Sequence, residues 1–480
     1  MSGALWTATE AVAATGGKTP CDWAVHGVSI DTRTLAPGDL FIALTAARDG
    51  HDFVQQALDK GAGAALVSRV PDGVSPDAPL LIVDDVQSGL EALGRAARAR
   101  TRAQVVAVTG SVGKTSTKEM LRAMLAVHGT VHAAEKSYNN HWGVPLTLAR
   151  MPRDVDFAVI EIGMNHPGEI APLARMARPH VAMVTTVAPA HLAAFENIEG
   201  IAREKASIFD GLEPYGTAIY NGDLPVSGIL REKAEEGRRW AVSFGEKALD
   251  QYRIYRVSVQ DACTVAIARS GIESRLFKVM APGRHFAVNA MGVLAVGEAL
   301  GLDPALTVMG LGQWHPGAGR GQRERIMLDP VDTRISVELI DDAYNANPAS
   351  LAASLEVLAA AQPRHGVGRV TKGRRIAYLG DMKELGASEV DLHRAVANSP
   401  SMDQIDMVHC IGPLMQHLWR ELPADKRGHW TETSDKMAER VARDLDAGDV
   451  VLAKGSLSMG VGRVVDAIRK LRQATPDLDG

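Results

Sequence analysis

The apolar run Gln104-Val-Val-Ala-Val-Thr109 leads directly into Gly110-Ser-Val-Gly-Lys-Thr-Ser116, and from Lys114 to Ala126 apolar positions recur at helical spacing. Strand, glycine-rich loop and helix in that order form a phosphate-loop unit. This junction constrains the fold more than any other stretch. A parallel sheet covered on both faces requires near-continuous apolar strands of this kind, and parallel neighbours need crossover connections. The glycines let backbone N–H groups point inward without Cβ interference, and the helix N-terminus adds partial positive charge. Lys114 can reach the β- and γ-phosphates of a nucleotide, and the Thr115 hydroxyl can ligate Mg²⁺. Val108 stands where the longer Walker pattern has its first glycine, so the loop is a shortened Gly-x-x-Gly-Lys-Thr.

The same alternation organises the rest of the chain. Phe157-Ala-Val-Ile-Glu-Ile162 and His180-Val-Ala-Met-Val-Thr-Thr186 read as further buried strands. Before the phosphate loop, Asp39–Leu44 and Pro79–Val83 read as strands. Between them Phe53–Lys60 reads as a helix stopped by Gly61, and Ser88–Arg102 as a helix leading out. After it, Gly312, Gly317, Gly319, Gly321 and Pro316 mark a hinge. Beyond the hinge, Ile335–Ile340, Arg375–Leu379, Met407–Ile411 and Val450–Ala453 are strands with helical spacers, a second doubly wound unit. The expectation is an α/β chain of three domains: a small N-terminal α/β substrate domain (1–102), a central P-loop parallel-sheet domain (103–318) and a C-terminal Rossmann-like domain (319–480). A length of 480 residues suits that number.

Composition narrows the partners. Lys+Arg of 52 against Asp+Glu of 57 leaves a net charge of −5, so nothing recommends a nucleic acid or an anionic membrane, and a phosphate ligand must be held locally. Cys21, Cys263 and Cys410 are scattered without metal-ligand spacing, which fits a reducing compartment. The N-terminus lacks a basic segment followed by an apolar one, and no apolar run approaches the ~20 residues of a membrane helix. The expectation is a cytoplasmic protein, by default a monomer, with no membrane insertion.

In a parallel sheet all strands end on one edge, where ligands bind. Glu161 ends one strand and His191 closely follows another, so both are expected to face Lys114 and Thr115. A carboxylate there suits a metal partner, although a strand-end glutamate alone is often merely solvated. His191 alone reads as a capped or core histidine. Lys205, in the helical stretch Gly200–Phe209, reads on composition as a surface residue.

Read in order, the motifs resemble the ATP-dependent Mur ligases of peptidoglycan synthesis over nearly the whole chain. They are Thr109–Met120, Tyr138-Asn-Asn-His-Trp-Gly-Val-Pro145, Glu161-Ile-Gly-Met-Asn-His-Pro-Gly-Glu-Ile170, Gly283-Arg-His-Phe-Ala-Val-Asn-Ala290, Asp341-Asp-Ala-Tyr-Asn-Ala-Asn-Pro348, Gly380-Asp-Met-Lys-Glu-Leu-Gly386 and Lys454-Gly-Ser456. Within the family, the Tyr-Asn-Ala-Asn-Pro and Gly-Asp-Met-Lys-Glu-Leu-Gly elements are similar to the branch that joins D-alanyl-D-alanine to UDP-N-acetylmuramoyl-tripeptide. The Asp-Asn-Pro-Arg element of the branch adding the third amino acid is missing.

The resemblance implies roles at matching positions. Gly110, Ser111, Val112, Gly113, Lys114, Thr115 and Ser116 would hold ATP phosphates, and Thr115 and Glu161 a Mg²⁺ ion. His191 would help hold a second Mg²⁺, with Lys205 carbamylated as a further ligand; Lys114, Glu161, His191 and Lys205 form the implied catalytic set. His285 and Asn289 would lie at the adenine side, with Phe286 where an asparagine is often found. Asp342 would face the ribose, and Arg323, with Arg320 as the alternative, would contact ATP. Ser29, Asp31, Arg33, His51, Asn139 and Asn140 would hold the UDP-substrate, and Tyr344, Asn345 and Asn347 the dipeptide.

The implied reaction transfers the γ-phosphoryl group of ATP to a peptide carboxylate, and the dipeptide amine then displaces phosphate from the acyl phosphate. Diaminopimelate and lysine both remain open as the third residue of the accepted tripeptide. Two rival readings are a folylpolyglutamate synthase, against which the Ser29–Phe53 segment argues, and a nucleotide-dependent switch.

Overall fold

The structure, a computed structural model, describes residues 3–189, 194–237, 239–247, 249–270, 273–369 and 371–473. Near the N-terminus, β1 (Gly27–Ser29), β2 (Asp39–Ile42), β3 (Ala64–Val67) and β4 (Leu80–Ile82) pair in parallel in chain order. Every residue of β3 is buried, as a strand covered on both faces requires. Helix α1 (Val86–Arg100) follows, capped by the Asp85 carboxylate, which accepts from the Ser88 N–H at 2.7 Å. Its buried Val86, Leu90, Leu93 and Ala97 lie on one face at helical spacing.

The middle region begins with β5 (Gln104–Thr109) and α2 (Lys114–Ala126). It continues through β6 (Val131–Ala133), α3 (Gly143–Ala149), β7 (Phe157–Glu161), β8 (Val181–Val184), α4 (Ile198–Ala206), β9 (Thr217–Asn221) and β10 (Trp240–Gly245). These six strands are parallel, in the order β10-β9-β8-β5-β7-β6. Along β5 the residues alternate between two cores: Val105 and Ala107 pack on one face, Val106 and Val108 on the other. The chain leaves β5 for β6 and β7 on one side and β8 on the other. The crevice at the carboxyl end of β5 is therefore the switch point where ligands of such sheets bind.

The sequence reading did not anticipate three further strands, β11 (Tyr252–Val259), β12 (Thr264–Ser270) and β13 (Glu273–Val279). β11 joins β10 in parallel, and the β11–β12 and β12–β13 pairs are antiparallel. They alternate buried with exposed residues, so they lack the continuous apolar run that marks a strand covered on both faces. Helix α5 (Arg284–Ala299) packs over this extension through Ala287, Met291 and Leu294.

The third sheet comprises β14 (Gln322–Met327), β15 (Ser336–Asp342), β16 (Arg375–Gly380), β17 (Met407–Ile411), β18 (Arg427–Thr431) and β19 (Val450–Lys454), in the order β14-β15-β19-β16-β17-β18. Only β14 among these strands runs antiparallel to its neighbour. Helix α6 (Pro348–Ala360) starts at an Asn347 cap. The glycine-rich stretch does not end in a loose loop. Gly319 and Gly321 take left-handed φ of 71° and 89°, and the Gly321 N–H already bonds Asp341 O at 2.8 Å.

The first and middle regions share a core. Leu146 and Ala149 of α3 pack with Trp6, Leu90 and Leu93, and Trp6 Nε1 donates to Ala149 O at 2.9 Å. Among the described residues, no helix is long and apolar enough to cross a membrane.

Candidate functional site

The phosphate loop is shaped by close approaches that exclude side chains. Gly113 has φ 83° and caps α2, and a Cβ there would lie 2.6 Å from Asn289 Nδ2. At Gly110 a Cβ would lie 1.9 Å from Thr185 Oγ1. Thr185 Oγ1 instead donates to Val112 O at 2.7 Å, and the Ser111 N–H donates to Thr186 O at 2.8 Å. The segment after β8 thus props the loop open from below.

Lys114 folds back to donate to Gly110 O at 2.6 Å. Burial pushes its pKa down and neighbouring Arg320 adds to that, while Glu161 opposes both. Thr115 Oγ1 donates to the Glu161 carboxylate, 3.1 Å from Oε1 and 2.9 Å from Oε2. Glu161, at the carboxyl end of β7, also accepts from Asn139 Nδ2 at 2.8 Å. A hydroxyl and a carboxylate side by side are the hard oxygen donors that Mg²⁺ takes. Among the described residues no group of three or more His, Cys, Asp or Glu could hold a metal, so substrate phosphate and water oxygens would complete that shell.

Composition made Lys205 a surface residue; the fold makes it a core one. It projects from α4 with 1% exposure, and burial first, then the charge of Lys114, pushes its pKa well below the ordinary lysine value. An uncharged amine is the form that reacts with CO₂, and a carbamate would turn a group that repels Mg²⁺ into one that binds it. His191 lies outside the described residues.

A cavity of about 630 Å³ opens between this loop and the third sheet. From the middle region it is lined by Ser111–Ser116, Glu161, His285 and Asn289, and from the other side by Arg320, Asp342 and Tyr344. His285 is held near pKa 4 by burial, so it is neutral at pH 7, and its Nδ1 has no protein partner. A neutral imidazole with an unused nitrogen suits a purine edge. Phe286 packs inward against Trp314, ring centroids 5.3 Å apart. Asp342 accepts from Lys454 Nζ at 2.7 Å, and Lys454 also donates to Asn345 O at 3.0 Å.

Three of the expected ligand residues are engaged by protein groups. Arg323 does not line the cavity: its Nη1 is tied to Glu338 at 2.7 Å and to Asp261 O at 2.6 Å. Arg320 lines it instead, its guanidinium 3.9 Å from the Tyr344 ring centroid. Asn347 borders the cavity, and its Oδ1 caps α6, accepting from the Ser350 N–H at 2.9 Å. His51 is only 3% exposed; Nδ1 meets Asp49 at 2.6 Å and Nε2 accepts from the Ser68 N–H at 2.9 Å, so both ring nitrogens have protein partners.

The other first-domain candidates stand outside the cavity, at the end of β1. Ser29 Oγ donates to Asp31 O at 3.1 Å, and the Arg33 guanidinium holds the Asp31 carboxyl down to about 2. Lys136, from the loop that carries Asn139, also lowers Asp31. Asn140 Oδ1 accepts from the Gly143 N–H at 2.9 Å and thereby starts α3. Sequence reading gave no individual role to Ser137, Lys383, Lys454 or Ser456, all of which line the cavity. Three of these lie in quoted motifs; Ser137, just before Tyr138, had no signal beyond its place.

Comparison with known proteins adds family context. Residues 24–134 match the Mur ligase family catalytic domain, 108–297 the Mur ligase middle domain, and 328–457 the Mur ligase glutamate ligase domain. UDP-N-acetylmuramoyl-tripeptide–D-alanyl-D-alanine ligase of Escherichia coli strain K12 is 35% identical over 456 residues, covering 94% of this chain and 95% of that protein. The protein of the same name from Bacillus subtilis strain 168 is 33% identical over 446 residues, covering 92% of each. Among solved structures, MurF from Acinetobacter baumannii superposes with a TM-score of 0.81 at 26% identity, covering 97% of this chain and 99% of that one.

Proposed function

The chain belongs to the Mur ligase family, and we propose that it joins D-alanyl-D-alanine to UDP-N-acetylmuramoyl-tripeptide, consuming ATP. The observation that supports this most is the cavity shared by two regions. A phosphate loop with its Thr115–Glu161 pair lines one side, and Arg320, Lys383 and Lys454 line the other. Joining a carboxylate to an amine requires activation. The γ-phosphoryl group of ATP passes to the tripeptide carboxylate, the dipeptide amine attacks the resulting acyl phosphate, and phosphate leaves.

The protein's part is to hold three anionic groups together and keep water out. Lys114 leaves Gly110 O for the phosphates, and the loop N–H groups and the α2 N-terminus bind beside it. Thr115 and Glu161 would hold one Mg²⁺, and Lys205, if carbamylated, would hold a second together with His191; Mg²⁺ there would supply neutralisation of charge on phosphate oxygens. Arg320 supplies a cation from the opposite wall. His285 and Asn289 take the adenine end, and Asp342 the ribose. Ser29, Asp31, Arg33, Asn139 and Asn140 take the UDP-substrate, and Tyr344 and Asn345 border the dipeptide. Residues 1–102, 103–318 and 319–480 would then act as substrate, ATP and dipeptide domains of a cytoplasmic monomer.

The test is phosphate release from ATP with UDP-N-acetylmuramoyl-tripeptide, adding D-alanyl-D-alanine or single amino acids. Release that requires the dipeptide, with a pentapeptide product by mass, is expected. Release with the UDP-dipeptide and one amino acid would move the chain to the branch that adds the third residue. Release without either substrate would indicate a switch.

A further inference from the structure

Ser137 occupies the loop between β6 and α3, and its hydroxyl joins two walls of the cavity. Its Oγ lies 2.7 Å from Thr115 Oγ1 and accepts from Arg320 Nη2 at 3.0 Å. Proton counting sets the direction of the chain. A guanidinium only donates and a carboxylate only accepts. Thr115 has one proton, and that proton goes to Glu161, 2.9 Å away. Thr115 Oγ1 must therefore accept from Ser137, which in turn accepts from Arg320. The bonds run one way: Arg320 to Ser137 to Thr115 to Glu161.

We propose that Ser137 is a positioning residue that transmits the arrival of Arg320 to the metal-binding hydroxyl of Thr115, so that the Thr115–Glu161 pair is fully oriented only when the third domain has closed. Two arguments support it. Arg320 belongs to the segment that enters β14, where Gly319 and Gly321 occupy left-handed backbone, so its approach to Ser137 depends on how the third domain sits. The donation to Thr115 also restricts its hydroxyl rotor, leaving one lone pair for a cation and the proton for Glu161. Removing Ser137 frees the Thr115 rotor directly, and removing Arg320 frees the Ser137 rotor that feeds it. The inference rests on the assignment of Thr115 and Glu161 to Mg²⁺.

The test measures ATP affinity by calorimetry with Mg²⁺ and with chelator, together with kcat and KM, for Ser137→Ala, Ser137→Thr, Arg320→Ala and the double variant. Ser137→Ala is expected to lower kcat about tenfold, the loss of one charge-assisted bond. It should erase part of the affinity that Mg²⁺ adds, while binding in chelator and the thermal midpoint stay at wild-type values. Ser137→Thr keeps the hydroxyl and restores both. In the Arg320→Ala background, Ser137→Ala should cost less than about twofold more, because the chain is already broken. Additive losses would overturn the relay, as would wild-type kcat in Ser137→Ala or equal weakening with and without Mg²⁺. Wild-type protein whose ATP affinity ignores Mg²⁺ would overturn the metal assignment itself, a result separable from the others.

Discussion

At the scale of single residues, burial decides chemistry that composition cannot. Lys205 and Lys114 are close enough to act on each other's charge, yet one lies in the core and the other on the cavity wall. Lys205→Ala is expected to lose activity, and high chloride or short carboxylic acids should partly restore it by occupying the carbamate position. A carbon-13 carbamate signal from labelled bicarbonate should vanish with the substitution. Full activity in the unsupplemented variant would refute the assignment. Lys114→Ala removes the cation nearest the phosphates and is expected to lower phosphate release by about 10² or more, with unchanged circular dichroism. The identities of Lys114, Thr115 and Glu161 were legible because their motifs name both a residue and a place at a strand end. Lys205 was singled out only by resemblance, since one lysine in an amphipathic stretch carries no local mark.

At the scale of elements, the phosphate loop depends on two glycines for different reasons. Gly113→Ala places a Cβ 2.6 Å from Asn289 Nδ2 in left-handed backbone, which alone costs about 1–2 kcal/mol. A lower thermal midpoint and weaker ATP binding are expected together, because the same backbone shift moves the N–H groups. In the third sheet, Tyr378 of β16 stacks on His409 of β17 at 4.5 Å, both fully buried. Burial holds the His409 imidazole near pKa 3, against about 6.5 when unfolded. The unfolded chain then binds more protons between those values. Stability is full above about pH 6.5 and falls with pH toward about 3, by up to about 1.4 kcal/mol per unit for this residue. His132, His180 and His393 are lowered too, and add to the slope. Denaturant unfolding between pH 4.5 and 6.5 should show the decline, and His409→Asn should make it shallower.

At the scale of the whole molecule, contacts between regions decide which of the chemistry-bearing residues meet. Arg98 of α1 is buried and donates to Ala177 O at 2.8 Å and Arg178 O at 2.7 Å, beside Glu213. Arg98→Ala leaves two carbonyls without that donor where the first region meets the second. It is expected to cost about 1–3 kcal/mol in denaturant unfolding while ATP affinity stays unchanged. The third region meets the middle one through polar links that include Arg320 to Ser137 and Arg323 to Asp261. Hinged closure, rather than a fixed interface, suits a cavity that must admit two substrates and then exclude water.

The sequence by itself determined the α/β class, the central parallel strands with continuous apolar runs such as β5, β7 and β8, and the phosphate loop. Continuous apolar runs with helical spacers admit few other solutions, and glycine spacing dictates where a backbone can cradle phosphate. The strands of β11–β13 escaped because half-buried antiparallel strands show only alternation, which reads as noise between charged residues. Arg320 and Arg323 sit three residues apart and look alike on paper. Only the pairing of β14 with β15, which ties Arg323 to Glu338, and the left-handed glycines around Arg320 decided which one reaches the cavity. The same holds for His51, whose two ring nitrogens are taken by Asp49 and Ser68. A side chain's type is local information. Whether its hydrogen-bonding capacity is left over for a ligand depends on every group packed around it, and that is settled only in the folded chain.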